Sequence, residues 1–281
     1  MKNNIYSFAA FMAVIILFTS SLFAQKEYNL KYKFTKGKTY LYKSESATQM
    51  TQEVMGREMK FSTDVNNVVR FLVNDVSAEG NSDLMFSLDS ATIKTSMMGK
   101  DTTMNASDFI GKRVKAAVTP FGEVKDIQEI DTVAASNRFV SLSQEINRFF
   151  ARFSGKSVKT GDTWANSVID TLKNFGGAII DSTDYVYTLA GKEVKLGHNC
   201  LKIPFTSNLK IDGKGNMQGT DLFINGTGKA TGTVYFDVKN GLLVYSEIDL
   251  ENDMTMATSG AQSMVIPITQ SVKANQALIE Q

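Results

Sequence analysis

The sequence predicts a mainly β fold: two related antiparallel, half-barrel-like β units with one amphipathic helix between them. Apolar and polar residues alternate with period two along most segments, which is typical of strands that bury one face. Proline occurs only 3 times, whereas 20 glycines separate the alternating segments. One segment instead repeats its apolar residues at helical spacing. The alternation is clearest at Tyr28, Leu30, Tyr32 and Phe34; at Val69, Phe71 and Val73; at Leu84, Phe86 and Leu88; and at Val234, Phe236 and Val238.

The helical segment extends from about Ala134 to Phe153, and Gly155 follows it where a C-terminal cap is expected. In a sheet-rich protein such a helix usually covers one side of the sheet, and this is the predicted role. The three arginines on its polar face leave open a second interpretation, a helix that binds a membrane surface or a partner. We predict that its apolar residues line a ligand-binding groove: Phe139, Leu142, Ile146, Phe149, Phe150 and Phe153.

The clearest β-hairpin surrounds Asn240 and Gly241. A three-residue loop over 239–241 would pair Phe236 with Val244, with Gly241 in the left-handed conformation at a bulge. This register is predicted because it separates apolar from polar side chains best, and a slip of one residue would move the apolar set to water. The predicted apolar face consists of Val234, Phe236, Val238, Leu242, Val244, Ile248 and Leu250.

Three glycine-containing elements recur in the same order in the two halves of the chain, which suggests a duplication. The recurring pairs are Gly37 with Gly161, Gly80 with Gly197, and Gly122 with Gly241, at offsets of 124, 117 and 119 positions. The predicted organisation is a first β unit at 25–133, the helix region at 134–155 and a second β unit at 156–281. Because glycine before a strand is ordinary turn chemistry, a single irregular sheet with chance similarities is the alternative.

The N-terminus has the pattern of a secretory signal peptide over residues 1–24. Lys2 precedes an apolar run from Phe8 to Phe18, and small residues lead to a cleavage site after Ala24. The run is too short to cross a bilayer comfortably, so no stable membrane span is expected after cleavage. A lipoprotein would need a cysteine at the cleavage site, but the single cysteine is Cys200. The expected location is the periplasm or the exterior.

The composition disfavours nucleic-acid binding. Removing residues 1–24 leaves 29 basic and 29 acidic residues, and no basic block stands out among them. Proteins that bind phosphate backbones usually cluster lysine and arginine. A single cysteine cannot form an intramolecular disulfide, so stability must come from packing, for which the chain is long enough.

Candidate catalytic residues are sparse, and the sequence predicts no enzyme, no cofactor and no metal site. The only histidine, His198, lies in a predicted turn without a nucleophile elbow, and Cys200 is expected to be buried and inert. Asp181 and Asp184, in a predicted loop, form one possible pair of carboxylates. The alternating acids Asp249, Glu251 and Asp253 form another, but a solvated outer strand face explains them, because Ile248 and Leu250, which alternate with them, are apolar.

The methionines suggest two further roles. Thioether clusters bind copper(I) in some exported proteins, and they also form adaptable apolar linings, which is the interpretation we favour. The clusters concerned are Met97, Met98 and Met104, and Met254 with Met256.

Three elements of the chain resemble those of a known family. They are the exported start, the G-x-T-aromatic element at Gly161 to Trp164 and the hairpin from Thr233 to Gly241. On these elements the chain resembles a family of exported Gram-negative bacterial proteins defined by a domain of unknown function. Its expected architecture is similar to the half-barrels of periplasmic lipoprotein and lipid carriers. The resemblance implies no activity, and none of those carriers' binding residues maps onto this sequence.

Three functional hypotheses follow. The first is a non-catalytic cell-envelope protein that binds or carries a hydrophobic ligand such as a lipid. The second is a structural or protein-interaction module of the envelope that uses exposed strand edges. The third is a hydrolase that uses Asp181 and Asp184 or the acidic strand.

Overall fold

The computed structural model describes residues 26–104, 106–131, 142–172, 177–217, 220–259 and 263–280. The mainly β prediction is confirmed: thirteen strands form a single open antiparallel sheet, accompanied in the described residues by one short α-helix, α1. The elements are β1 (Thr39–Val54), β2 (Arg57–Val76), β3 (Ser82–Met97), β4 (Lys100–Met104), β5 (Arg113–Val118), β6 (Val124–Glu129), α1 (Leu142–Phe149), β7 (Thr163–Leu172), β8 (Ala178–Thr188), β9 (Gly191–Lys195), β10 (His198–Met217), β11 (Thr220–Asp237), β12 (Leu242–Thr258) and β13 (Val265–Glu280).

The strand order explains how the two halves of the chain form one sheet. The order across the sheet is β6-β5-β3-β2-β1-β13-β12-β11-β10-β8-β7, with β4 beside β3 and β9 beside β10. The first strand of the N-terminal half therefore pairs with the last strand of the C-terminal half. β6 and β7 are consecutive in the chain but lie at opposite edges of the sheet. The connection between them, which contains α1, runs from one edge to the other.

The long strands give the sheet an inner face and an outer face. The pairing between β1 and β2 runs from Thr39 opposite Leu72 to Val54 opposite Arg57. Successive side chains point to opposite faces of a strand, so Tyr42 of β1 shares a face with its partners Val69 of β2 and Leu278 of β13. This inner face carries the apolar side chains, and the predicted alternation is correct for these strands.

The core occupies one end of the inner face. Its most deeply buried members include Tyr42, Phe71, Phe86, Ile203 and Phe236. The predicted N-terminal strand is only partly correct. Leu30, Tyr32 and Phe34 are buried as the alternation indicates. However, their segment is not one of the strands of the sheet and joins the rest of the protein through scattered backbone contacts, such as Tyr32 N–H to Pro120 O at 2.7 Å and Lys33 N–H to Gly241 O at 3.0 Å.

The helix is shorter at its C-terminal end than the predicted span to Phe153. α1 ends at Phe149, and the four residues 150–153, which follow it outside the helix, are all buried. A continued helix would turn one of them towards solvent. Instead, Phe153 N–H donates a hydrogen bond to Phe121 O at 2.9 Å. Gly155 has a positive φ of 74° but lies too far from α1 to cap it. Residues 132–141, which include Phe139, lie outside the described part of the chain.

The register predicted for the hairpin is wrong. Asp237 pairs with Leu242 and Phe236 with Leu243, so the loop has four residues, and Val244 is the extra residue of a bulge. The Asp237 carboxylate accepts hydrogen bonds from the backbone N–H groups of Lys239 at 2.9 Å and Asn240 at 3.1 Å. These bonds favour the longer loop. Gly241 has the predicted left-handed conformation, with φ 69°.

Candidate ligand-binding cavity

A cavity of about 410 Å³ lies between α1 and the inner face of the sheet. This volume is within the range of small-molecule sites in proteins. Strands from both halves of the chain contribute apolar walls, and α1 with the residues after it forms the remaining wall. The apolar lining includes Val65, Val69, Phe86, Leu88, Ile93, Phe109, Val168, Phe205, Val234, Leu243, Ile248, Val272 and Ala274.

The cavity shows that the sheet is strongly curled. Phe86 lies on β3 and Phe205 on β10, six strands apart in the sheet. In a flat sheet those strands would lie roughly 29 Å apart, at about 4.8 Å per strand, whereas here both side chains line the same cavity of about 410 Å³. Both side chains can line one cavity only because the strands curve around it. The ligand site is therefore a product of the sheet's curvature.

Small residues on the inner face of β11 allow close packing where the sheet curls. An added Cβ on Gly232 would lie 2.4 Å from Cζ of Phe205, and one on Gly228 would lie 1.9 Å from Oδ1 of Asn252. Side chains of the neighbouring strands thus lie directly over the glycine backbone. Glycine in a strand often marks such a close approach.

Five of the six predicted ligand-binding residues are described, and all five are buried. Leu142, Phe149 and Phe150 line the cavity. Ile146 and Phe153 belong to the core beside it; the Phe153 ring lies 4.6 Å from that of Phe236. Their role in binding a ligand stays a prediction.

The sequence predicts a polar face for the charged residues of α1, but it does not indicate that two of them, Glu145 and Arg148, line the cavity. Arg148 Nε donates a hydrogen bond to Oδ2 of Asp170 at 2.6 Å, and its Nη2 bonds Asp181. The two acids face each other across β7 and β8. Burial opposes the charge on Arg148, but the carboxylates of Asp181 and Asp170 raise its pKa overall. This bridge fastens α1 to the sheet edge.

Glu145 is an acid in the cavity wall without an ion pair among the described residues. Glu145 as a whole is solvent-exposed, but the cavity wall around it partly shields its carboxylate from water. Burial raises the pKa of Glu145, Arg148 lowers it less strongly, and Asp170 adds to the increase. The cavity thus disfavours a negative charge at this position.

Arg152 follows α1 and is only 5% exposed. Its Nη2 donates hydrogen bonds to the backbone oxygen of Asn147 at 2.9 Å and to Asn147 Oδ1 at 3.0 Å. The backbone oxygen of Arg152 accepts a bond from Nε1 of Trp164 at 2.9 Å. Trp164 ends the G-x-T-aromatic element, which therefore holds the chain just after the helix. One sequence signal could have indicated that these arginines contact the sheet. It is a pair of arginines about one helical turn apart, followed by acidic residues on the next strands.

Apolar side chains continue along the inner face beyond α1. Met50 pairs with Phe61 across β1 and β2, and Met254 pairs with Ile268 across β12 and β13. All four are buried or half-buried. Met256 lies on the same inner face. By contrast, Met97, Met98 and Met104 are exposed.

The other candidate residues are dispersed. Asp181 and Asp184 lie within β8, so the predicted loop is wrong, and they point to opposite faces because three positions separate them. Asp184 accepts a hydrogen bond from Ser167. Asp249, Glu251 and Asp253 are exposed on one face of β12, as a solvated face predicts. Among the described residues, no three histidine, cysteine or acidic side chains are grouped as metal ligands.

His198 begins β10, after the turn at Leu196 and Gly197, and its Nδ1 lies 3.3 Å from Oδ2 of Asp237. Cys200 is buried, as predicted, in a small cluster with Tyr235 and Val244 apart from the main core. Burial, with a contribution from Asp237, raises the pKa of the Cys200 thiol to about 11. A thiol in this state is a poor nucleophile near neutral pH.

Comparison with known proteins establishes no family. No family model matches the sequence, and no curated protein matches it. The structure is similar to one titled "Lipid-protein interactions in lipovitellin", with 10% identity, a TM-score of 0.47 and coverage of 88% of this chain; the chain spans only 26% of that protein's length. Two Pseudomonas aeruginosa structures are also similar. OpdQ has 6% identity and a TM-score of 0.24, with 86% of this chain and 99% of OpdQ covered. OccK11 (OpdR) has 4% identity and a TM-score of 0.20, with 91% and 100% covered.

At these identities and TM-scores the similarities carry no argument about function. The resemblance to a family of exported proteins stays a prediction. In the described part of the chain, no helix is both long enough and apolar enough to cross a bilayer.

Proposed function

We propose that this protein is an exported, non-catalytic cell-envelope protein that binds or carries a hydrophobic ligand in the cavity beneath α1. The cavity itself, about 410 Å³ with mostly apolar walls, is the observation that carries the proposal. A core that only stabilises the fold is usually packed without voids of this size. Apolar surface that meets water in such a cavity favours an apolar occupant.

Two further features support this proposal. The inner face carries further apolar side chains past the helix, such as Met50 and Met254, with the polar Gln270 opposite Met50, so a ligand longer than the cavity can contact additional apolar groups there. Glu145 lies in the cavity wall where burial raises its pKa. A neutral or apolar group beside it is therefore more favourable than a second anion.

A pair of tryptophan substitutions on opposite faces of the sheet tests the proposal. Ala274 lies on the inner face of β13 opposite Ser46 and Ile248, and all three line the cavity. We expect Ala274→Trp to fill the cavity and to weaken binding of an environment-sensitive hydrophobic dye to the delipidated protein by about tenfold or more, since one buried aromatic side chain excludes a comparable apolar group.

Ala47→Trp is the matched control, because Ala47 lies on the outer face of the neighbouring strand β1 and is exposed. It should leave dye binding unchanged. Mass spectrometry of the protein before delipidation should show a bound apolar molecule. Equal dye binding by both variants, or no dye binding and no bound molecule in the unsubstituted protein, would contradict the proposal and favour a structural role in the envelope.

A further inference from the structure

Arg152 is a buried cation whose hydrogen-bonding capacity is only partly used. Its Nη2 donates hydrogen bonds to Asn147, but Nη1 is shielded from solvent and has no hydrogen-bond partner in the described part of the chain. No ion pair joins Arg152 to an acid within the described ranges. An unsatisfied buried donor is costly, and a buried guanidinium without a counter-ion is more so. Burial accordingly lowers the pKa of Arg152.

The neighbours of Arg152 do not neutralise it. The ionisable groups close enough to interact electrostatically with Arg152 are the carboxylate of Glu123 and three phenols, those of Tyr32, Tyr187 and Tyr185. Burial raises the pKa values of all three phenols, so they are neutral near pH 7. Arg148, one turn earlier, differs because it has two acids of its own. Glu123 forms its ion pair with Lys125, so within the described residues no anion lies at ion-pair distance from Arg152.

Arg152 lies where two cavities meet. It lines the apolar cavity together with Asn147 and Val168, and the same three residues line a second crevice. That crevice lies between residues 166–169 of edge strand β7 and residues 119–124 around the β5–β6 turn. Lys31, Glu79 and Glu123 are the other charged residues of the crevice. A ligand with a polar end at Arg152 can thus extend an apolar chain into the cavity.

We propose that the ligand is a long-chain carboxylate, bound with its carboxylate at Arg152 Nη1 and its hydrocarbon chain in the cavity. This inference rests on the proposed function and specifies its ligand class. A carboxylate oxygen would supply both the acceptor and the negative charge that the guanidinium lacks, and charge-assisted bonds of this type are among the strongest in proteins. The apolar walls would contact the chain. Glu145, also in the wall, disfavours a carboxylate at the α1 end of the cavity.

The first test compares dodecanoate with dodecanol on the delipidated, unsubstituted protein, by displacement of the hydrophobic dye. The two molecules share a chain and differ at the head group. We expect dodecanoate to bind about tenfold more tightly or better, as a charge-assisted hydrogen bond predicts. Equal binding overturns this inference but leaves the proposed function intact. If neither molecule displaces the dye, the proposed function fails as well.

The second test removes the guanidinium. Arg152→Met keeps an unbranched apolar side chain in the cavity wall. We expect this variant to bind dodecanoate and dodecanol equally. Arg113→Met is the matched control, since Arg113 is exposed on β5 in a surface pair with Asp131, and it should keep the preference for dodecanoate. A preference that survives in Arg152→Met overturns the inference. Acetate that displaces the dye as well as dodecanoate does also overturns it, because the site would then bind an anion without a chain.

Thermal unfolding of the delipidated proteins separates a binding role from a structural one. If Arg152 serves the ligand, Arg152→Met should unfold at the same temperature as the unsubstituted protein or higher, because it removes an uncompensated buried charge. If Arg152 chiefly holds the end of α1 through Asn147, or a trapped water satisfies Nη1, the variant should unfold at a lower temperature and the head-group preference should be absent. Either of those results overturns the inference.

Discussion

The charged side chains next to the cavity differ in how their charges are balanced. In the described part of the chain, Arg148 lies between Asp170 and Asp181, the side chain of Arg152 bonds only Asn147, and Glu145 has no ion pair. From the sequence, these residues belong to the polar side of an amphipathic helix. A helical repeat defines which residues share a side, but it does not say what that side contacts.

The raised pKa of Glu145 predicts a pH-dependent loss of stability. The folded protein holds the Glu145 proton more tightly than the unfolded chain does, since burial raises its pKa when folded. The contribution of protonated Glu145 to the free energy of unfolding is therefore fully present below the pKa of the unfolded chain, and it is lost as the pH rises through the pKa of the folded protein. We expect Glu145→Gln to be more stable than the unsubstituted protein at pH 7, with the difference in the free energy of unfolding shrinking towards pH 4.

Denaturant unfolding at several pH values measures this difference. Glu251→Gln is a suitable control, because Glu251 is exposed on the outer face of β12. It should show no comparable change with pH. If Glu145→Gln and Glu251→Gln behave alike, Glu145 does not occupy a site that disfavours its charge.

Among the elements, the β11–β12 hairpin shows how hydrogen bonds to one side chain can determine the length of a loop. The alternating pattern indicated a three-residue loop, but Asp237 accepts bonds from Lys239 N–H, Asn240 N–H and Asn240 Nδ2 and extends the loop to four residues. Asn and Asp commonly stabilise turns in this way. The bulge at Val244 then places this residue with Cys200 and Tyr235 instead of in the main core.

We expect Asp237→Ala to lower the free energy of unfolding by about 2 kcal/mol at pH 7, because the loop loses several hydrogen bonds. Burial opposes ionisation of Asp237, but bonds from Asn240, His198 and Lys239 lower its pKa overall. Its contribution is therefore present above the unfolded pKa and is lost as the pH falls through the lowered, folded pKa. The destabilisation should accordingly decrease in acid.

Chemical denaturation between pH 7 and pH 2 checks this prediction. Asp249→Ala is the comparison, since Asp249 forms only an exposed ion pair with Lys273 on the outer face, and such pairs contribute little. Equal losses of stability in the two variants would show that the hydrogen bonds of the loop do not determine the hairpin.

For the whole molecule, the curl of the sheet creates the cavity and brings edge strand β7 close to the β5–β6 turn at the other edge, where the two line one crevice. Glycines on β11 allow side chains such as Phe205 to lie against the backbone on the inner face. The sequence shows these glycines but does not show that they share a face with the cavity. The strand pairings reveal it, because Gly232 lies opposite both Phe205 and Ile248.

We expect Gly232→Ala to lower the free energy of unfolding by about 1–3 kcal/mol, since the added methyl group must displace the Phe205 ring or the Glu247 backbone oxygen, 2.3 Å from the ideal Cβ position. Thr231→Ala, on the exposed outer face of the same strand, should change stability by about 0.5 kcal/mol or less. Denaturant titrations of both variants measure the difference. An equally small effect of Gly232→Ala would show that the close approach of Phe205 to β11 is not required.

The sequence by itself determined the strand-rich architecture, the buried residues of the alternating segments, the glycine turns and the apolar side of the helix. These features follow from local periodicity and backbone preferences, which a single chain displays directly. Only the tertiary structure decided that β1 pairs with β13, that Arg148 and Arg152 turn inwards, that the helix ends at Phe149 and that the sheet encloses a cavity. Those outcomes depend on contacts between residues far apart in the chain, and the period of a strand or helix carries no information about which distant surface its buried face will meet.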